Sequence, residues 1–371
     1  MAWLGTWKNR IPITVDKTKF DNSATEFTAR TFPYGIHVGS SVGQDSDDLT
    51  VIFDEIGSNS LKMAITEDDG TTECYYEIER WDDTNEKGMI WFTSDDCDFS
   101  SSDYTFYIYF DNSQSNNSTY GGTLGNRGEV WHVNYKGVWH MADASGGITD
   151  SSGNSYNTGS NAGSGTPTYH VDGYSSGCGY AVSMDRNCRF YRSSAGIDFG
   201  GSGPVDWCVM FHGKFDDVNA DQYFMLGDVN YGFYMRIDDS YGSRCIYKID
   251  DGTDDDYGTS SIGVGYTDWK TCSQTLDYSV AIHEGFIDGI ERYQGVTADV
   301  NIVGNMHDTI EIGGYTNGNG FDGKCGEVRI SNFEWNDRWQ RAEFHTLDDD
   351  TNSYGAVESL ATTFIPKIII V

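Results

Sequence analysis

The stretch DYTFYIYF at residues 103–110 sets the theme of the whole chain. It is a short aromatic run in which side chains alternate in character, and it stops at an Asp-Asn turn. Similar runs recur from end to end: RIPITV (10–15), TVIFDEI (50–56), CYYEIERW (74–81), GMIWFT (88–93), VWHVNYKGVWHM (130–141), DWCVMFHGKF (206–215), RCIYKI (244–249) and KCGEVRISNF (324–333). Each is too short to bury itself as a helix, and period-two alternation places one face of an extended strand against a core. The chain holds 24 Tyr, 19 Phe and 10 Trp, with 44 Gly against 5 Pro, which suits pleated surfaces joined by tight turns. Asp68-Asp69-Gly70-Thr71 and Asp288-Gly289 are hairpin signals. Only NDRWQRAEFHTL (336–347) reads as a helix, with Trp339, Ala342, Phe344 and Leu347 over one broad side. The fold class is therefore all-β, built from β-sandwich domains.

At 371 residues the chain exceeds what one core usually supports. The polar, Gly-rich segment DNSQSNNSTYGGTLGNRG (111–128) reads as the connection, giving a first sandwich over 1–125 and a second over 126–355. A tail over 356–371 ends in FIPKIIIV, an aggregation liability if left bare. It is expected to dock on a neighbouring subunit rather than add to its own sheet.

A formal net charge of −33 repels phosphate backbones and anionic membranes, so neither nucleic acid nor membrane insertion is expected. The N-terminal MAWLGTWKNRIPITV lacks the pattern of an export signal, and no window of ~18 apolar residues occurs. The expectation is a protein that reaches the outside by lysis or assembly. Eight cysteines include no Cys-x-x-Cys pair, and their redox state is open.

The opening Trp7, Arg10, Ile13 and Val15, with DLTVIF (48–53), YEIERW (76–81) and YTFYIYFDN (104–112), resembles a bacterial and phage domain of unknown function. The second region is similar to a concanavalin A-like, laminin-G-type jelly roll. The segments that carry this are VWHVNYKGVWHMAD, then DSSGNSYNTG, then FIDGIERYQG and FDGKCGEVRISNFEWNDRWQRAEF. The resemblance implies two sandwiches and a ligand-presenting role, and relatives of this kind hold a calcium ion at one rim. Asp150 and Asn154 match the corresponding loop, with Asp322 expected to approach it. Flexible Asp/Asn/Gly loops supply the oxygens that Ca²⁺ requires, although an Asx-turn would explain Asp150 equally.

Glycoside hydrolysis needs two carboxylates across a bond. The nearest pattern is Glu77-Ile78-Glu79, in the first domain; Glu311 stands alone in the second, and His283-Glu284 falls short of a zinc motif. The acidic run 250–256 lacks EF-hand spacing and reads as a solvated hairpin tip. Sugar recognition combines an aromatic face with hydrogen-bonding groups, which nominates Tyr156 and Asn157 in one loop, and Tyr315, Asn317 and Asn319 in another. The resulting expectation is a non-enzymatic virion surface protein, a capsid decoration, fibre or tail component. It would contact other virion proteins, copies of itself and host cell-surface glycans. A secreted carbohydrate-binding adhesin and a glycan-active hydrolase are the alternatives.

Overall fold

The computed structural model describes residues 2–20, 27, 32–97, 99, 102–126, 128–193, 197, 205–227, 233–250, 255–263, 268–296, 309–314 and 318–360. The architecture is all-β, with four sheets stacked as two sandwiches. In the first sandwich, a five-stranded outer sheet runs Asn352–Tyr354, Asn9–Val15, Tyr104–Phe110, Met63–Thr66, with Glu358–Ser359 also on Asn9–Val15. It packs on a four-stranded sheet, Pro33–Val38, Lys87–Thr93, Tyr76–Asp82 and Gly121–Thr123. Ile11, Ile13, Phe106 and Ile108 from one sheet meet Ile36, Ile78, Ile90 and Phe92 from the other.

The second sandwich is antiparallel and of the jelly-roll kind. Its eight-stranded sheet is centred on Trp207–Phe215 and Gly323–Ser331, with Tyr135–Trp139 beside the latter. Its six-stranded partner runs from Phe190–Ser193 to Asp255–Gly263. Trp207, Val209 and Phe211 face that partner, while the intervening Cys208 and Met210 join the core of the first sandwich. A bulge at Gly326 keeps both faces in register: Phe211 pairs with Val328 and His212 with Glu327, but Gly213 pairs with Cys325. Strand Lys87–Thr93 and the central strand Trp207–Phe215 are thus buried on both faces, which explains why GMIWFT and WCVMFH read as unbroken apolar runs.

The hairpin at Asp288-Gly289 forms as its sequence predicts. Both residues have positive φ, 54° and 68°, the geometry a two-residue turn needs to match strand twist. All eight cysteines are buried, and none is joined in a disulfide.

One expectation needs correction. TVIFDEI is not a strand: Val51–Ile56 forms a helix, α1. Buried Leu49, Ile52, Phe53 and Ile56 recur at the helical i, i+3, i+4, i+7 spacing, which the β-branched composition masked. Helix α2 (Asp337–Leu347), capped by Asn336 Oδ1 on the Arg338 and Trp339 N–H groups, places Trp339, Ala342 and Leu347 in the first core. Trp339 stacks on Phe27 at 5.6 Å. The start of the 356–371 segment pairs with the first sandwich: Glu358 and Ser359 pair with Arg10 and Asn9, and the Leu360 N–H donates to Lys8 O. FIPKIIIV lies outside the described residues.

Candidate functional site

Charged side chains converge at one place, the junction of the four- and eight-stranded sheets. From the first sandwich come Glu77 and Glu79 on Tyr76–Asp82; from the second come His140, Glu327 and Arg329; α2 adds Glu343. All are buried. His140 Nδ1 lies 2.7 Å from Glu327 Oε2 and 3.6 Å from Glu79 Oε2. The Trp91 indole N–H and the Tyr174 hydroxyl donate to Glu79 Oε2 at 2.8 and 3.0 Å, and the Tyr180 N–H to its Oε1 at 3.0 Å. Glu77 accepts from the Trp131 indole at 2.8 Å, the Ser151 hydroxyl at 2.8 Å and the Gly125 N–H at 2.6 Å. Arg329 Nε donates to Glu327 at 2.8 Å and its Nη1 to Glu343, with the guanidinium 4.3 Å above Trp91 and 4.9 Å from Trp131.

Burial lifts the Glu79 carboxyl to about 7, with His140 opposing and Glu327 adding to the rise. Burial alone would pull the His140 imidazole down, but Glu327, Glu77 and Glu79 carry it up to about 10. Burial works against the Glu327 charge too, yet His140 and Arg329 hold its carboxyl below the usual range. The arrangement is an imidazolium and a guanidinium clamped among carboxylates. Among the described residues, Glu79, His140 and Glu327 are also the one group of His, Cys, Asp or Glu whose ligand atoms gather closely. Donors from Trp91, Tyr174 and Arg329 already occupy those carboxylates.

The acidic loop nominated for calcium is organised differently. Asp150 is buried and accepts four hydrogen bonds: Val138 N–H and Ser152 N–H on Oδ1, Ser152 hydroxyl and Tyr156 N–H on Oδ2. A carboxylate ringed by donors organises the turn around it. The Asn154 amide donates to Tyr135 O at 3.0 Å. Asp322 does not join them. Val138 pairs with Arg329, and Asp322 lies seven residues back along that extended segment, ~20 Å away. Its N–H donates to Gln222, and its carboxylate faces Arg186 at 3.7 Å. The structure does not bring Asp150 and Asn154 together with Asp322.

Among the described residues, the sugar candidates Tyr156 and Asn157 lie apart from Asn319. Tyr156 lies half-buried under Arg192, 4.7 Å from the guanidinium, and its carbonyl accepts from the Trp139 indole. Asn157 Oδ1 accepts from the Asp150 N–H. Asn319 is exposed, with its carbonyl on the Tyr223 N–H; Tyr315 and Asn317 lie outside the described residues. The Arg192 end of segment 185–193 borders the first loop, whereas Arg186 O accepts from Gly320 in the second. Glu311 is 8% exposed and tied to Arg189 at 3.1 Å. His283 is buried on Gln274. Of the acidic run, 251–254 lie outside the described residues, and Asp255 and Asp256 open a strand.

Sequence patterns missed an open cleft of about 490 Å³ where α2 meets the second sandwich. Trp269 and Phe344 supply its apolar lining, with Lys214, Asp268, Lys270 and Asp288 around them. Trp269 is half-buried and stacks on His212 at 5.1 Å and 9°. Lys270 Nζ lies 2.8 Å from Asp288. The only sequence signal here was a Trp flanked by charges in DWK. A second hollow, about 330 Å³, is lined by Glu284, Glu334, Asn336, Asp337 and Arg338 and has no aromatic wall.

No protein-family model matches the chain, and no curated protein sequence does. Solved structures overlap parts of it. Domain 4 of the extracellular GH43 arabinanase AbnA from Geobacillus stearothermophilus, in complex with arabinotriose, is 14% identical over 57% of this chain and 98% of that chain, with a TM-score of 0.43. The binding domain of Paraclostridial Mosquitocidal Protein 1 is 15% identical over 57% of this chain and 52% of that chain, at 0.44. The Ruminococcus gnavus IT-sialidase CBM40 bound to α2,3-sialyllactose is 14% identical over 42% of this chain and 97% of that chain, at 0.31. At these overlaps they assign no ligand to the present chain.

Proposed function

We propose that this protein is a non-catalytic display module: a structural component of a virion surface that holds a glycan-binding face at a fixed orientation. One observation carries the reading. The convergence of Glu77, Glu79, His140, Glu327, Arg329 and Glu343 is closed off between two sheets and α2, with every one of these side chains too buried for a sugar to reach. Glycoside hydrolysis needs two carboxylates flanking an accessible bond. These carboxylates instead bind their own indoles, hydroxyls and cations across the junction. Spending so many ionised groups on one closed interface fixes two sandwiches relative to each other, as a part that presents a surface requires. The strongly acidic exterior suits a solvated outward-facing module.

The test is to apply the full chain to a glycan array and then assay the same glycans for released reducing ends. Binding without release is expected; turnover overturns the non-catalytic reading. Antibodies to the chain should label the exterior of intact particles, and labelling of cell envelopes alone would instead favour a secreted adhesin.

A further inference from the structure

We propose that the cleft between Trp269 and Phe344 is the glycan site, and that it takes a sugar residue carrying no net charge. This rests on the glycan-binding reading above and adds where the sugar sits and of what kind it is.

A sugar has a C–H face and a rim of hydroxyls, so its site needs a rigid apolar plate beside fixed donors and acceptors. Trp269 is such a plate. One side of the indole is backed by His212, and a Cβ added at Gly326 would stand 3.2 Å from the ring, so the adjacent strand packs directly against it. Burial holds the His212 imidazole down to about 3, so this backing stays neutral at physiological pH. Phe344 lines the same cleft from α2.

The polar groups are also held in place. Asp288 Oδ2 faces Lys270 at 2.8 Å while its Oδ1 accepts the Thr271 N–H at 3.1 Å. The Ser175 hydroxyl donates to Asp348 O at 2.9 Å, tying the turn after strand Thr168–Gly173 to the end of α2. Carboxylates accept from hydroxyl pairs, and the Lys214 ammonium donates to a ring or hydroxyl oxygen. A volume of about 490 Å³ lies within the range of small-ligand sites.

Charge selects the class of sugar. Asp268, Asp288 and Asp348 outnumber Lys214 and Lys270 in the lining, and the chain as a whole carries −33. A sialic acid, uronic acid or sulfated sugar would meet repulsion at long and short range. A neutral hexose or N-acetylhexosamine meets none.

The experiment uses the full chain on an array holding uncharged glycans, with terminal mannose, galactose, glucose or N-acetylglucosamine, beside sialylated, uronic-acid and sulfated ones. Glycans that bind are then titrated by calorimetry against the wild type, Trp269→Ala and Lys214→Ala. Binding to uncharged glycans is expected, weakened about tenfold or more in both variants. Circular dichroism checks folding, and Lys214→Ala decides the outcome if Trp269→Ala does not fold. Uncharged-glycan binding that survives both substitutions overturns the cleft and leaves the display-module reading standing. Binding confined to acidic glycans overturns the neutral-sugar assignment. A wild type that binds no glycan overturns both.

Discussion

His140 Nδ1 stands 2.7 Å from Glu327 Oε2 in the sealed joint between the two sandwiches, and each residue is held by further charges on either side. Glu327 takes Arg329 on its other oxygen, and His140 faces Glu79 and Glu77 across the sheet boundary. Neither member of the pair has water to fall back on.

Replacing Glu327 by Gln should therefore be severe. It removes the charge that both His140 and Arg329 rely on and leaves two buried cations under-compensated. Breaking a buried pair in this way typically costs about 3–5 kcal/mol. Denaturant titration should show the loss, together with earlier opening of the junction in hydrogen exchange. A change below about 1 kcal/mol would contradict the account.

The same network gives a pH dependence with a definite sign. His140 is raised to about 10 and His37, beside Asp349, to about 9, both from 6.5. Their contributions are complete below pH 6.5 and are lost as pH rises through 9 and 10. Glu79, raised to about 7, acts in the same direction, being complete below its unfolded value of 4.5 and gone above 7. Buried His212, lowered to about 3, opposes them only between pH 6.5 and 3. Stability should fall from pH 6.5 to 9, at up to about 1.4 kcal/mol per pH unit for each titrating group. Melting curves across that range check it, and a flat or rising profile would refute it.

Asp150→Ala should destabilise the protein by a few kcal/mol, because four donors lose a shared acceptor, at roughly 1–3 kcal/mol for a buried group left unsatisfied. Since Asp150 is a turn organiser, the loss should be equal with calcium or with chelator. A melting temperature that responds to calcium in the wild type and not in Asp150→Ala would support the metal reading.

Ending the chain after residue 348 should compromise the first sandwich, although the cut lies far from residues 1–125 in sequence. It removes strands Asn352–Tyr354 and Glu358–Ser359, the ion pair of Glu358 with Arg10 at 2.6 Å, and the Asn352 amide on Gly35 O at 2.7 Å. The bare edge of Asn9–Val15 invites aggregation. A fragment of residues 1–125 should behave still worse, lacking α2. Limited proteolysis and light scattering test both, and a soluble, protease-resistant 1–125 fragment would show the boundary to be real.

Much of the scaffold was readable in advance. Period-two runs marked the strands, Asp288-Gly289 marked its turn, and 336–347 marked α2, because each is a local preference written within a few residues. TVIFDEI failed since a seven-residue run with four β-branched side chains satisfies two periods at once. The junction was half visible. Glu77, Glu79, His140, Glu327 and Arg329 are charges set in otherwise apolar runs, a pattern that flags a buried polar network but not who pairs with whom. The Trp269 cleft left almost no trace, because its walls come from α2, the turn after residue 173 and the 268–270 segment.

Composition and alternation were enough to require layered β-sheets with an acidic exterior, since every strand needs an opposing apolar face and the chain is rich in Gly and Asp. The pairing of those layers could not be read from the chain. Helix α2 and residues 352–359 return more than three hundred residues to complete the first core, and Glu79 meets His140 and Glu327 across a sheet boundary. Such contacts depend on which apolar faces and which opposite charges come together once the chain is compact, and no local preference encodes that choice.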